Sequence, residues 1–315
     1  MQVFQERFSV EIADMCVQTI GGFDGLHRGH QYLLQQVREA AMQRKVKSMV
    51  ITFKNHPSSI LHPDQPVKLL TTLKEKLSIL ESMGIDYVVV IEFTPELSRM
   101  SAKDFIKEIL IDKLKGKALF VGYDHRFGHQ SSETFFDYQR YGRELGMEVI
   151  LAGELPQEES AIHVSSSVIR RAIAEGDVVL AKELLGRYYS IEGTVTHGEG
   201  IGRTIGFPTA NIAISSSRKL LPKDGAYMVR VYVREGFHAG MLYIGNRPTI
   251  DNLVREQRIE VYILDYNEDI YDQYVRIEFV EFLRGEQHFS SIEELQEQLQ
   301  SDLIQIRESS KRIKQ

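Results

Sequence analysis

TIGGFDGLHRGHQYLL, residues 19–34, carries the end of a strand candidate, Cys16–Ile20, into a helix candidate, Gln31–Arg44. Gly21, Gly22 and Gly25 permit tight turns and close approach of backbone to a ligand. Leu33, Leu34, Val37, Ala40 and Ala41 recur at spacings of three and four, which makes one helical face. A strand that passes through a glycine turn into a helix opens an α/β unit, and the first such turn is where these sheets bind nucleotides.

The alternation continues outward from that stretch. Val46–Phe53, Tyr87–Phe93, Ala118–Val121 and Glu148–Leu151 read as strands, with helices over Thr72–Met83, Ser101–Lys115 and Glu133–Leu145 between them. The spacing predicts a parallel sheet covered on both faces, with right-handed crossovers setting all strand C-termini along one edge. Two short helices, Ser166–Ala174 and Val178–Leu185, precede a change of pattern. From Tyr188 the segments are short and have period two, as in Val229, Val231 and Val233 or Ile259, Val261 and Ile263. Only Ser291–Glu308 returns to helical spacing, with Ile292, Leu295, Leu299, Leu303 and Ile306 in a stripe. An antiparallel sheet or small barrel with a helix across it follows, and the boundary falls at 186/187.

Composition narrows the function classes. The 315 residues suit two domains. With 43% hydrophobic and 26% charged residues the chain reads as globular rather than disordered. The net charge of −6 divides evenly, 22 basic against 25 acidic residues in 1–186 and 16 against 19 in 187–315. No basic half exists to neutralise a nucleic-acid backbone, so nucleic acid is not an expected partner. The longest apolar runs, such as Tyr87–Ile91, fall far short of the ~20 residues that span a bilayer, so no membrane partner is expected either. Cys16 is alone, and the first residues carry Glu6, Arg7, Glu11 and Asp14 where a signal peptide needs an apolar core. The expected compartment is the cytoplasm.

His27 and His30 lie at i and i+3, so both can point from the first helical turn. The free backbone N–H groups and partial positive charge of a helix N-terminus suit phosphate. Imidazole donors there can stabilise charge that builds on phosphorus-bound oxygens. The same spacing also suits a glycine turn bearing two solvated histidines, and the strand–turn–helix context favours the first reading. A metal centre needs further ligands and no third is local; the lysine of a P-loop is absent. Further on, SSSVIRRAI (165–173) sets Ser166, Ser167 and Arg170 at a helix start, two hydroxyls and a guanidinium fork able to clamp an anion. Alone, this segment also reads as an N-cap run with a surface arginine.

The second dense stretch is GEGIGRTIGFPTANI, residues 198–212. Gly198, Gly200, Gly202 and Gly206 make a loop able to fold over phosphates. Thr209 and Asn211 then offer a hydroxyl and an amide oxygen on alternate residues of an extended segment. Two hard oxygen donors on one side suit Mg²⁺ bridging ATP phosphates.

The first half resembles the nucleotidylyltransferase superfamily in its HxGH signature. FKNHP (53–57), VGYDHRFG (121–128) and SSSVIRRAI resemble the FAD synthetase branch in kind and order. The second half closely resembles riboflavin kinases through GFPTAN, DGAYMVRV (224–231), IEVYILDY (259–266) and FLRGEQHFSSIEELQEQLQSD (282–302). Together they cover nearly the whole chain in the order of the bacterial bifunctional riboflavin kinase/FAD synthetases. The resemblance implies an N-terminal Rossmann-like nucleotidylyltransferase domain with a parallel sheet, residues 1–186. It implies a C-terminal antiparallel β-barrel riboflavin kinase domain with a terminal helix, residues 187–315.

It also implies two consecutive reactions, with riboflavin, FMN, FAD and ATP as ligands, ATP as co-substrate and Mg²⁺ as cofactor. Gly21, Phe23, Asp24 and Gly25 would serve ATP with Ser166 and Ser167, while His27, His30 and Arg170 act at the transferred phosphate. His56, Asp124 and Phe127 would flank the flavin. Gly200, Gly202, Gly206, Thr209 and Asn211 would hold the second ATP and its metal. Glu260 occupies the place of the kinase's catalytic glutamate, where a carboxylate can take the proton of an attacking alcohol. Its period-two neighbours also suit an exposed residue on the polar face of an edge strand.

Overall fold

The structure is a computed structural model. It describes residues 1–5, 12–61, 63–64, 67–122, 127–128, 133–156, 162–197, 202, 205–234, 236–247 and 256–313. Contacts divide the chain into two compact units, Met1–Ser166 and Ser167–Gln315.

The first unit holds an all-parallel, six-stranded sheet in the order β1-β4-β3-β2-β5-β6. The strands are β1 (Gln2–Phe4), β2 (Cys16–Ile20), β3 (Lys47–Phe53), β4 (Tyr87–Ile91), β5 (Gly116–Val121) and β6 (Glu148–Leu151). Strand order reverses beside β2, so the turn after β2 opens at the switch point where such sheets form a ligand crevice. All five residues of β2 are buried, as a strand covered on both faces requires.

Alternation along the strands sends Val17, Val50, Val88 and Phe120 to one core, with Leu34 and Val37 of helix Arg28–Arg44 and Leu80 of helix Leu73–Ser82. Cys16, Met49, Ile51, Val89 and Leu119 go to the other, with Ile106, Leu110 and Tyr138. Each fully buried aliphatic side chain contributes roughly 1.5–3 kcal/mol. The helix expected over Ser101–Lys115 is a short α-turn, Ala102–Asp104, running into a π-helix, Phe105–Lys113. Gln18, fully buried on β2, donates to the carbonyls of Leu110 and Leu114 at 3.3 and 2.8 Å, the latter just past the π-helix end.

The second unit is a closed barrel in the order β10-β11-β8-β7-β12-β9. Its strands are β7 (Ser190–Thr196), β8 (Ala210–Ile214), β9 (Gly225–Val233), β10 (Gly236–Arg247), β11 (Glu256–Ile263) and β12 (Tyr274–Arg284). Ile191, Val195, Val229, Val231, Ile259, Val261 and Ile277 are buried on the period-two faces that sequence indicates. Helix Ile292–Ile313 crosses the outside, packing Leu303 and Ile306 with Phe207, Met228, Met241 and Leu264. Helix Val178–Leu185 packs on β12 through a buried face of Val178, Ala181, Leu184 and Leu185. The parallel sheet, the antiparallel barrel and the terminal helix are thus the architecture expected from sequence. Among the described residues no helix is long and apolar enough to cross a membrane.

Candidate active sites

In the first unit the Gly21–Leu26 turn is anchored by the Gly21 N–H on Ile51 O at 3.0 Å. Positive φ falls on Phe23 (46°), Gly25 (81°) and Leu26 (42°), so two side-chain-bearing residues hold left-handed conformations. Space is tight at Gly21: a Cβ there would lie 3.0 Å from the Phe23 ring. That ring is edge-on to His30 at 5.2 Å.

His27 is the N-cap of helix Arg28–Arg44, its Nδ1 accepting the His30 N–H at 3.3 Å. In the neutral ring this puts the remaining proton on Nε2. The His27 and His30 rings stack at 3.6 Å with 16° between planes, two imidazoles held together at a helix N-terminus.

Asp24 is 5% exposed, and its carboxylate accepts the N–H groups of Leu70 and Thr71, both at 3.0 Å. It fastens the 70–71 segment to the turn. Within the first unit the Ser166 hydroxyl donates to Asp24 O at 2.8 Å. Ser167, exposed, and Arg170, half-buried, fall in the second compact unit.

A small cleft beside the turn is lined by Gly22, Asp24, Asn55, His56, Thr71 and Lys76. His56 Nδ1 lies 2.7 Å from the Ser58 hydroxyl. Asn55 pairs with both backbone groups of Phe93, at 2.9 and 2.8 Å, and so joins the ends of β3 and β4. Phe127 is half-buried, stacked on Tyr138 at 4.3 Å and exchanging backbone hydrogen bonds with the Tyr138 hydroxyl. Asp124 and Gly200 lie outside the described residues.

Sequence reading passed over Lys76. It is 7% exposed, donating to Gly22 O at 2.6 Å and to Thr52 Oγ1 at 3.2 Å beneath the Gly21–Leu26 turn. Burial lowers its pKa to about 8, against the opposing pull of Asp24. The available signal was positional: Lys76 follows Leu73 by three and precedes Leu80 by four, on the apolar stripe of its helix.

In the second unit the Phe207 N–H donates to Gly202 O at 2.8 Å, and a Cβ on Gly202 would meet Phe207 O at 2.3 Å. Gly206 has φ of 82°. The chain then enters β8, where Asn211 stands opposite Glu260 of β11. The Thr209 hydroxyl donates to Glu260 Oε2 at 2.9 Å. Arg258 Nε lies 2.8 Å from Glu260 Oε1 and 3.0 Å from Asn211 Oδ1. β11 lies between β10 and β8, so Glu260 is on an interior strand rather than an edge, facing away from the barrel core.

Glu260 opens into a cavity of about 490 Å³ whose walls include Phe207, Met241, Tyr243, Tyr262, Phe289 and Leu299. Aromatic walls, this volume and a few convergent polar groups are the marks of a small-molecule site. A second cavity, about 360 Å³, shares Pro208, Thr209 and Tyr271 with the first and adds Tyr266, Glu268 and Asp269. No cluster of three or more His, Cys, Asp or Glu side chains able to hold a metal occurs among the described residues. A hydroxyl, an amide oxygen and one carboxylate do suit Mg²⁺, which usually takes one or two protein carboxylates and completes its shell with water and phosphate.

The FAD synthetase family model matches residues 9–168, and the riboflavin kinase model matches residues 185–310. A bifunctional riboflavin kinase/FMN adenylyltransferase from Escherichia coli K12 is 37% identical over 93% of this chain and 92% of its own length. One from Listeria monocytogenes is 37% identical over 91% of this chain and 90% of its own. A crystal structure described as a macrolide-efflux protein from Streptococcus pneumoniae superposes with a TM-score of 0.88 at 30% identity, covering 97% of this chain and 98% of that one. Two family models in this order, with relatives alike over almost their whole length, make the chain a member of the bifunctional riboflavin kinase/FMN adenylyltransferase family.

Proposed function

We propose that the chain makes FAD from riboflavin in two steps, with residues 187–315 phosphorylating riboflavin and residues 1–186 adenylylating the FMN that results. The observation that carries the reading is the pairing of Asn211 with Glu260, with the Thr209 hydroxyl on the same carboxylate, at the mouth of an aromatic-walled cavity.

Riboflavin occupies the larger cavity, its flat ring against Tyr243, Tyr262 and Phe289, and ATP the smaller one on the far side of Thr209. Glu260 takes the proton of the ribityl 5′-hydroxyl as that oxygen attacks the γ-phosphorus and ADP leaves. Thr209 fixes the carboxylate by its bond to Oε2. Thr209 and Asn211 would hold Mg²⁺, which when bound with the nucleotide neutralises charge on the transferred phosphoryl group. The resemblance assigns Gly200, Gly202 and Gly206 to the phosphates of this ATP.

In the second step an FMN phosphate oxygen attacks the α-phosphorus of another ATP and pyrophosphate leaves. The nucleophile is already anionic, so no base is called for. His27 and His30 act as donors to the developing charge, and the helix N-terminus at residue 27 supports them. Gly21, Phe23, Asp24 and Gly25 shape the turn that receives the nucleotide. The resemblance assigns Ser166, Ser167 and Arg170 to its triphosphate and His56, Asp124 and Phe127 to the flavin. One buried cysteine and no disulfide framework support a cytoplasmic setting.

Incubation of the purified chain with riboflavin and Mg·ATP, followed by chromatographic separation of the flavins, tests the reading. FMN appearing first and FAD after it is the expected result. FMN alone removes the adenylyl-transfer assignment, and neither product removes both.

A further inference from the structure

We propose that Arg258 is a built-in counter-cation of the phosphoryl-transfer site, occupying the Asn211 oxygen that the divalent metal would take and turning away when Mg·nucleotide binds. The inference rests on the reading of Asn211 and Glu260 given above. Its physical basis is one atom. Arg258 Nε carries a single hydrogen, yet it lies 2.8 Å from Glu260 Oε1 and 3.0 Å from Asn211 Oδ1. That three-centre arrangement places positive charge on Asn211 Oδ1, an oxygen that would serve a bound cation, and ties it to the Glu260 carboxylate.

The strand pattern makes this placement unavoidable. Arg258 and Glu260 are two apart on β11 and so project to the same side of the sheet. Register sets Asn211 directly opposite Glu260. A guanidinium is charged at every accessible pH and has no acceptor lone pair, so it can neither join the metal shell nor be neutralised in place. Rotation is its remaining exit. The side chains of Arg258 and Glu260 are 28% and 25% exposed, and Arg258 lines the same 490 Å³ cavity, so the guanidinium has open space beside it.

Arg258 then does two things. Without metal it neutralises a carboxylate whose other partner is the Thr209 hydroxyl, and holds that carboxylate in register with Asn211. With metal it sets the concentration at which Mg·nucleotide binds, because its displacement is part of the binding equilibrium. It is a positioning residue, acting through Glu260 and Asn211 rather than on substrate.

Calorimetric titration of ADP into the full-length protein at graded magnesium concentrations tests this without turnover. Arg258→Gln keeps a hydrogen-bonding side chain and removes the charge; Arg258→Lys keeps the charge. The expected result is a magnesium midpoint about fivefold lower in Arg258→Gln, the scale of one partly exposed ion pair, with Arg258→Lys near the parent. An unchanged midpoint in Arg258→Gln overturns the inference. A higher midpoint overturns it too, and makes Arg258 a holder of the ligands or of the nucleotide. Absence of any magnesium dependence in the parent protein removes the metal reading itself, together with the inference.

Should Arg258→Gln fail to fold, the unaltered protein decides. The Nε–Hε resonance of Arg258, assigned with Arg258→Lys, is expected to move on addition of Mg·ADP. A resonance that stays in place overturns the inference.

Discussion

On the proposed reading both sites serve transfer to a phosphorus centre, but they gather their residues differently. The turn after β2 draws most of its groups from the ten residues 21–30, and its histidines are stacked by the helix start alone. The barrel site joins Thr209 and Asn211 to Glu260 across two strands far apart in sequence, through register. Their chemistry differs as well. The barrel points a carboxylate into its cavity, whereas the nearest carboxylate of the turn, Asp24, is bonded to Leu70 and Thr71. The lesson is that the nucleophile decides the site: an alcohol must lose a proton to a base, and a phosphate has none to lose.

The largest expected effect tests the base. Glu260→Gln keeps the side chain's shape and should slow FMN formation by a factor on the order of 10²–10⁴. FAD formation from supplied FMN should stay at the parent rate. A fall in both reactions, or in neither, breaks the contrast between the sites.

His30→Ala probes the other half. Loss of one donor should raise the adenylyl-transfer barrier by on the order of 2–4 kcal/mol, by analogy with oxyanion donors. Comparing kcat/KM for the two reactions reads it, and kinase values should not move. Unchanged FAD synthesis would remove His30 from the site.

Lys76 sharpens the comparison through pH, because it belongs to one unit only. Its pKa is about 8 in the folded protein against 10.5 ordinarily. Between those values the unfolded chain binds more protons, so stability rises with pH over that window and the full penalty is present below it. The gain is on the order of 2–3 kcal/mol. Urea unfolding of the first unit at pH 7.5 and 10 should show this gain in the parent and lack it in Lys76→Met. Equal pH dependence in both proteins would contradict the burial argument.

The smallest effect concerns the metal side. Asn211→Ala should raise the magnesium requirement of the kinase and lower its rate by about tenfold or less, water replacing one oxygen ligand. An unchanged magnesium titration and rate would leave Asn211 only a strand residue.

Much of this was legible because it is local. The β2 turn, the stripe Leu33–Ala41 and the period-two strands of the barrel each advertise themselves within a dozen residues. What needed register or packing was not. Glu260 was readable as a residue type, but its position opposite Asn211 and on an interior strand depends on how β11 joins β8. β1, three residues long, carries too little pattern to announce a strand. The π-helix at Phe105–Lys113 keeps an apolar face that reads as an ordinary helix, and Gln18 reaches it from another element. Glycine placement misdirects too, since Phe23 and Leu26, not Gly21 or Gly22, take the left-handed backbone. Lys76 shows the converse case, a charge on an apolar stripe whose meaning appears only once Gly22 O is found 2.6 Å from its ammonium.

The central claim is that two chemistries share one chain and can be lost separately. Mixing the Glu260→Gln and His30→Ala proteins with riboflavin and Mg·ATP tests it most directly. Glu260→Gln alone should leave riboflavin unconverted, and His30→Ala alone should stop at FMN. The mixture should make FAD, the FMN released by one protein being taken up by the other. A mixture that makes no more FAD than the two variants apart would contradict the account.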